Sequence, residues 1–154
     1  MTPAMNTLET VLFESGRPVL IAPPKSPQDI GRHVVIAWNG GTETARAIAF
    51  AKPVLRDADR ITVLAVEGGM VPGPSAEDVK VNLLRDDVAV DVREVPGRRS
   101  AADAGDIILR ETMEVGGDLL IKGGYTQSRL RQMIFGGATS QILANAEIPV
   151  LMAH

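Results

Sequence analysis

The sequence contains no cysteine, few aromatic residues and no strong excess of charge of either sign. The absence of cysteine excludes disulfides and metal sites built on thiolates. Sixteen basic residues against 19 acidic ones give a formal net charge of -3, which provides no broad positive field for a nucleic acid or an anionic membrane. No window reaches the roughly 18 consecutive apolar residues that a membrane-spanning helix needs, and the first residues lack the pattern of a secretion signal. These absences predict a cytoplasmic protein that binds neither nucleic acid nor membrane.

The sequence does contain 45% hydrophobic residues in a chain of 154, which is enough for one sizeable core. Apolar runs without helical spacing predict strands over residues 33–38, 60–66, 88–95, 118–122 and 148–153. The intervening stretches predict helices over residues 42–58, 75–85, 100–115 and 137–146. This alternation predicts a five-stranded parallel sheet with helices on both faces, a Rossmann-like α/β fold. Ligands of such sheets bind beyond the carboxyl ends of the strands, where the strand order reverses.

The first 31 residues lie outside this alternation. Their segment VLFESGRPVLIA, residues 11–22, aligns with ILANAEIPVLMA, residues 142–153, with five identities in twelve positions. The alignment indicates the last helix and strand of a repeated unit, although any helix that exits into a strand through a proline would look similar. The proline-rich residues 22–31 resemble a linker. We therefore predict that residues 1–31 are the tail of a preceding repeat and that residues 32–154 form one α/β domain.

Two glycine pairs flank the segment between the fourth predicted strand of that domain and its last helix. They are Gly123-Gly124 and Gly136-Gly137. Glycines that lead into a helix can present unpaired N–H groups to a phosphate, and the same pairs can equally be turns. No G-x-x-x-x-G-K-[ST] string occurs in the sequence, so a P-loop for phosphoryl transfer has little support.

These motifs resemble the universal stress protein family, and the resemblance extends over residues 33–154, with residues 5–24 similar to the end of a first repeat in a tandem member. The family's nucleotide-binding members carry glycine, two residues, glycine, nine residues, and then glycine followed by serine or threonine. Gly123 and Gly136 match the first and third glycines, whereas Thr126 stands at the second and Gly137 at the hydroxyl residue. The family's fold is the adenine nucleotide alpha hydrolase-like variant of the Rossmann-like fold.

The resemblance implies an adenine-nucleotide site beyond the first and fourth strands of the domain. Adenine would lie near the end of the first strand, the ribose at the end of the fourth, and the phosphates over the start of the last helix. The candidate site residues are Ala37, Asn39, Val66, Lys122, Gly123, Thr126, Gly136, Gly137 and Ala138.

Three of these residues depart from the family pattern. Thr126 is β-branched, so it resists positive φ and its side chain can fill the space of the ligand. Gly137 lacks a hydroxyl whose hydrogen bond to phosphate is worth about 0.5–1.5 kcal/mol. Asn39 replaces the family's usual aspartate and keeps an acceptor oxygen without the charge. Arg129, Arg131 and Lys122 could compensate electrostatically, or could belong to a solvated face beside the loop.

We therefore expect a non-catalytic stress-response regulator or scaffold with a degenerate nucleotide site that binds ATP weakly, and no metal. A functional ATP-binding regulatory module is the alternative. The histidines His33 and His154 have no evident catalytic partner, and Ser100 and Ser128 have no histidine nearby in the sequence. Trp38, at the end of the first strand, could stack on a base or pack in the core.

The last predicted strand is expected to mediate assembly. In the resembled family, the last strand mediates pairing between units, so we expect a homodimer through residues 148–153. We also expect residues 17–22 to lie antiparallel to that strand, within one chain or exchanged between two, because an unpaired apolar edge invites a partner.

Overall fold

The computed structural model describes residues 3–84, 88–97, 101–124 and 138–154. The strands are β1 (Val19–Ile21), β2 (His33–Trp38), β3 (Arg60–Val66), β4 (Ala89–Val95), β5 (Leu119–Gly123) and β6 (Val150–Ala153). The helices are α1 (Pro3–Glu14), α2 (Thr42–Asp57), α3 (Ala76–Leu83), α4 (Ala101–Glu114) and α5 (Ala138–Asn145). Within the described ranges, no helix is long and apolar enough to cross a membrane.

The strands form one sheet in the order β1-β6-β5-β2-β3-β4. The five strands from β6 to β4 are parallel, which confirms the predicted sheet. The sixth strand, β1, pairs antiparallel with β6 in the same chain, as expected for residues 17–22. β6 begins at Val150 rather than at residue 148, because Pro149 has no N–H to donate and joins the ladder only through its carbonyl, which accepts from the Leu120 N–H at 3.0 Å.

Both faces of the sheet are covered by helices, which is why its central strands read as continuous apolar runs. On one face, Val34 and Ile36 of β2 pack with α2 and α3. On the other face, Val35 and Ala37 pack with α1, α4 and α5. The chain passes from β2 to β3 on one side and reaches β5 on the other, so the strand order reverses between β2 and β5. A ligand site is expected at the carboxyl ends of these two strands.

Candidate functional site

A small cavity lies at the carboxyl ends of β2, β3 and β5, on the sheet face covered by α4 and α5. Its volume is about 80 Å³. It is lined by Ala37, Trp38, Asn39, Thr44, Leu64, Val66, Gly69, Ala104, Ile108, Lys122 and Ala138. The position is the one expected from the reversal of strand order, and the described part of the lining is mostly apolar, with one cation and a few hydrogen-bonding groups.

The structure brings five of the nine candidate site residues together around this cavity. They are Ala37, Asn39, Val66, Lys122 and Ala138. Gly123 follows Lys122 at the end of β5 and is buried. The remaining three candidates, Thr126, Gly136 and Gly137, lie outside the described residues, as do Arg129 and Arg131.

Lys122 is the charged residue that the described part of the chain contributes to the lining of this cavity. Its side chain extends from β5 toward the first turn of α5, where the ammonium donates to the Thr139 hydroxyl at 2.8 Å and to the carbonyl of Gly123 at 2.8 Å. Burial lowers the pKa of Lys122 to about 8, and the carboxylate of Glu43 opposes this shift. The ammonium is therefore held by protein groups and is less strongly charged near neutral pH than an exposed lysine.

The side chain of Asn39 accepts two hydrogen bonds at the turn between β2 and α2. Its Oδ1 accepts from the Gly41 N–H at 3.0 Å and from the Thr44 hydroxyl at 2.9 Å. The Thr44 oxygen in turn accepts from the Gly123 N–H at 3.2 Å, so the Thr44 proton must point to Asn39. These three hydrogen bonds connect the ends of β2 and β5 to the first turn of α2. The side-chain oxygen of Asn39 is therefore occupied by donors of the protein. Its NH2 group, a donor, is the polar group that remains for a ligand.

Gly123 permits the close approach of α2 to β5. A Cβ built at this position would lie 2.6 Å from the backbone nitrogen of Thr44 and 2.7 Å from its hydroxyl oxygen. These distances are shorter than a carbon contact allows, so any side chain would push the first turn of α2 away. The first glycine of the sequence motif is therefore required for packing, independently of any ligand.

The loop after β3 packs over the turn between β2 and α2. Gly40 has φ +82°, and a Cβ there would come within 2.5 Å of the Val71 carbonyl oxygen. The Val71 N–H donates to the Asn39 carbonyl at 2.8 Å. The indole of Trp38 is 5% exposed and donates to the Pro74 carbonyl at 2.9 Å. Of the two roles considered for Trp38, core packing is the one that the structure supports.

The other residues considered from the sequence take structural positions or fall outside the described ranges. His33 shares a hydrogen bond of 2.8 Å with the Thr62 hydroxyl. Burial is the main cause that lowers the pKa of His33. His154 packs edge-on against Phe13 with the ring centroids 4.5 Å apart. Ser100 and Ser128 are outside the described residues.

Two residues near the cavity, Glu43 and Thr44, were missed in the sequence, and the side-chain role of Thr139 was not foreseen. Thr44 and Glu43 are buried in the first turn of α2, at 1% and 6% exposure. Thr139, in the first turn of α5, is the partner of Lys122. Their signal was available, because polar residues in the first turn of a helix that follows a strand point toward the carboxyl edge of a parallel sheet.

Comparison with known proteins is consistent with this architecture. The model of the universal stress protein family matches residues 31–154. A search of curated proteins found no match. A universal stress protein from Archaeoglobus fulgidus DSM 4304 is 20% identical with a TM-score of 0.71, and the match covers 94% of this chain and 52% of that protein. This chain thus spans about half of the Archaeoglobus protein.

A second solved structure has a similar fold. A protein of the universal stress protein family from Burkholderia pseudomallei is 21% identical with a TM-score of 0.56, and the match covers 82% of this chain and 98% of that protein. At these identities the two structures support the shared fold alone, and the family model, which matches most of the chain, identifies the family. The chain belongs to the universal stress protein family.

Proposed function

We propose that this chain is a non-catalytic stress-response regulator or scaffold whose adenine-nucleotide site is degenerate. The observation that carries the proposal is that the ammonium of Lys122 is already hydrogen-bonded within the protein. Its ammonium already donates to Thr139 and to the carbonyl of Gly123, inside a cavity of about 80 Å³. Pockets that bind ligands of nucleotide size measure roughly 300–1,000 Å³. A nucleotide would have to enlarge the cavity and compete for the lysine.

The hydrogen bonds of Asn39 support the same proposal. An aspartate in this position could give one oxygen to the turn and offer the other to a ribose hydroxyl or a base amine. Asn39 gives its oxygen to Gly41 and Thr44, so the group that remains is a donor. A ligand amine that met this donor would leave both groups unpaired, which costs about 1–3 kcal/mol when the groups are buried.

A functional ATP-binding module is the second candidate, and the position of the cavity favours it. The cavity lies where the strand order reverses, with Ala138 at the start of α5 and Lys122 in its lining. A helix N-terminus and a lysine are both suited to phosphate. If the cavity opens at low cost, these groups would bind the phosphates despite the altered motif.

Calorimetric titration of the full chain with ATP separates the two candidates. We expect weak ATP binding, and we expect the double variant Thr126→Gly with Gly137→Ser to bind ATP at least tenfold more tightly. Tenfold corresponds to about 1.4 kcal/mol, the upper value for one phosphate hydrogen bond.

Adenosine provides the control ligand, because it has no phosphates. The double variant should leave adenosine binding unchanged while it strengthens ATP binding. Micromolar ATP binding by the unaltered chain, with no gain in the double variant, would show that the departures at residues 126 and 137 are not losses and would favour the ATP-binding module.

A homodimer through the last strand and a cytoplasmic location belong to the same proposal. In this chain the outer side of β6 is occupied by β1. A dimer through β6 therefore requires either that β1 leaves or that two chains exchange it.

A further inference from the structure

The contact between β1 and β6 has an approximate two-fold symmetry. The alignment of residues 11–22 with residues 142–153 matches the three residues of β1, in order, to Val150, Leu151 and Met152. In the structure, Val19 lies opposite Met152, Leu20 opposite Leu151 and Ile21 opposite Val150. Val19 thus pairs with the counterpart of Ile21, Ile21 pairs with the counterpart of Val19, and Leu20 pairs with its own counterpart. A two-fold axis through the central pair gives this relation.

The side chains obey the same symmetry. Val19 and Ile21 pack in the cluster that contains Val150 and Met152. Leu151 packs on the opposite face of the sheet, and so Leu20, directly opposite it, points to that face as well. A two-fold axis perpendicular to the sheet keeps every residue on its own face, as observed.

The helices α1 and α5, which precede β1 and β6 in the chain, also lie close together. Leu12 of α1 packs in the same cluster as Ile142 and Leu143 of α5. In the alignment, Leu12 corresponds to Leu143. The arm, which we define as residues 3–21 with α1 and β1, therefore pairs with β6 and packs on the same face of the sheet as α5.

We propose that the arm stands in for the last helix and strand of a second copy of this chain, and that a docked arm and a β6-to-β6 dimer exclude each other. A surface that accepts β1 in this register also accepts β6 of another copy, because the paired positions carry residues of the same apolar type. In the dimer, Leu151 would lie opposite Leu151 of the second copy. The arm thus regulates assembly. The inference rests on the dimer contact of the proposed function and is independent of the nucleotide site.

The arm lies at the edge of the sheet. β1 contributes three residue pairs. Leu12 is 3% exposed and its Cδ2 lies so near Gly124 that a Cβ there would come within 2.6 Å. The rings of Phe13 and His154 are in edge contact. Elements at the edge of a sheet open at lower free energy than its core. The arm can therefore undock while the sheet stays folded.

The chain contains no cysteine, so an introduced cysteine reports on one contact only. Directly opposite residues of antiparallel strands have Cα atoms about 4.5–5.5 Å apart, within the range of a disulfide. Leu151→Cys should therefore form a disulfide-linked dimer when β6 pairs with β6. Adding Leu12→Asp, which undocks the arm, should raise the rate of this cross-linking at least tenfold. Adding Val11→Asp, at a position 39% exposed on the same helix, should leave the rate unchanged.

A disulfide that locks the arm onto β6 provides a second test in case the Leu12→Asp variant fails to fold. The double variant Leu20→Cys with Leu151→Cys should close a disulfide within one chain. Light scattering after size exclusion should then find the oxidised protein monomeric at concentrations where the reduced protein forms dimers.

The outcomes separate the steps of the inference. Equal association of the oxidised and reduced forms, or equal cross-linking with and without Leu12→Asp in folded protein, would overturn the competition. A disulfide that joins position 20 of one chain to position 151 of another, identified by peptide mapping, would overturn it as well, because the arms would then be exchanged. If neither the reduced lock variant nor Leu12→Asp with Leu151→Cys associates, the dimer contact itself fails, whereas the ATP titration stands apart from all of these results.

Discussion

Replacing Lys122 with methionine should remove a pH dependence of stability that the unaltered chain has between about pH 8 and pH 10.5. Burial lowers the pKa of Lys122 from 10.5 to about 8. In this window the folded chain has lost the proton while the unfolded chain still holds it. The free energy of unfolding therefore rises with pH across the window, because the unfolded state binds more protons.

The magnitude follows from the fall in pKa. A fall of about 2.5, from 10.5 to about 8, corresponds to about 3 kcal/mol at roughly 1.4 kcal/mol for each unit. About 2 kcal/mol of this would develop between pH 7 and pH 9.5, before the unfolded chain has fully lost its proton. The hydrogen bonds to Thr139 and to the Gly123 carbonyl favour the ammonium and oppose desolvation. The value of 3 kcal/mol is thus an upper limit.

Urea denaturation at pH 7, 8, 9 and 9.5 measures this effect as the difference in unfolding free energy between the unaltered chain and Lys122→Met. Methionine keeps an unbranched side chain of similar length without the charge. The unaltered chain should gain about 2 kcal/mol relative to the variant over this series. Lys52→Met, on the exposed side of α2, controls for the loss of a lysine charge. A difference that stays constant with pH for Lys122→Met would refute the reasoning.

Two further substitutions test the packing and the charges around the sheet. Gly123→Ala should destabilise the chain by about 1–3 kcal/mol, since its Cβ would lie 2.6 Å from the Thr44 nitrogen, whereas Gly69→Ala, with its nearest contact at 3.5 Å, should cost less than 1 kcal/mol by denaturation. Glu111→Gln should destabilise by about 1–2 kcal/mol at pH 7, because the buried Glu111 carboxylate accepts from two arginines, one of them Arg93 at 2.7 Å. The hydrogen bond from the other arginine is the main cause that lowers the pKa of Glu111, so its stabilising effect is present above pH 4.5 and the difference from Glu111→Gln should shrink as pH falls below that value. A Glu111→Gln difference that is the same at pH 7 and pH 4 would contradict this reading.

The fold could be predicted because its signals are local. The strand at residues 33–38 is a β-branched run without helical period, and the structure has the same bounds. The boundary of β6 was less well predicted, because the run IPVLMA does not show that Pro149 enters the ladder only as an acceptor. The pairing of β1 with β6 was predictable because the two segments resemble each other.

The site was less predictable because its contacts join residues far apart in the sequence. The resemblance to the family implied that Lys122 and Ala138 belong to one site, and both line the cavity. That the ammonium of Lys122 donates to Thr139, 17 residues away, depends on the position of α5 relative to β5. The packing role of Gly123 depends in the same way on how closely α2 approaches. A motif gives the residue types, and only the packed helices decide whether each residue contacts a ligand or a neighbour.

The two edges of the sheet are protected in different ways, and the difference explains why assembly should depend on the arm. The outer strand β4 carries charged residues, and Asp91 and Arg93 form ion pairs with neighbouring elements, which discourages another strand from pairing. At the other edge, β1 has three residues and lies between Pro18 and the prolines of the linker, so it too is a poor template for a further strand. When the arm leaves, β6 presents a four-residue apolar edge that has no charged residue and is flanked by a proline, Pro149, on one side only. Undocking therefore opens one edge alone, and that edge is self-complementary.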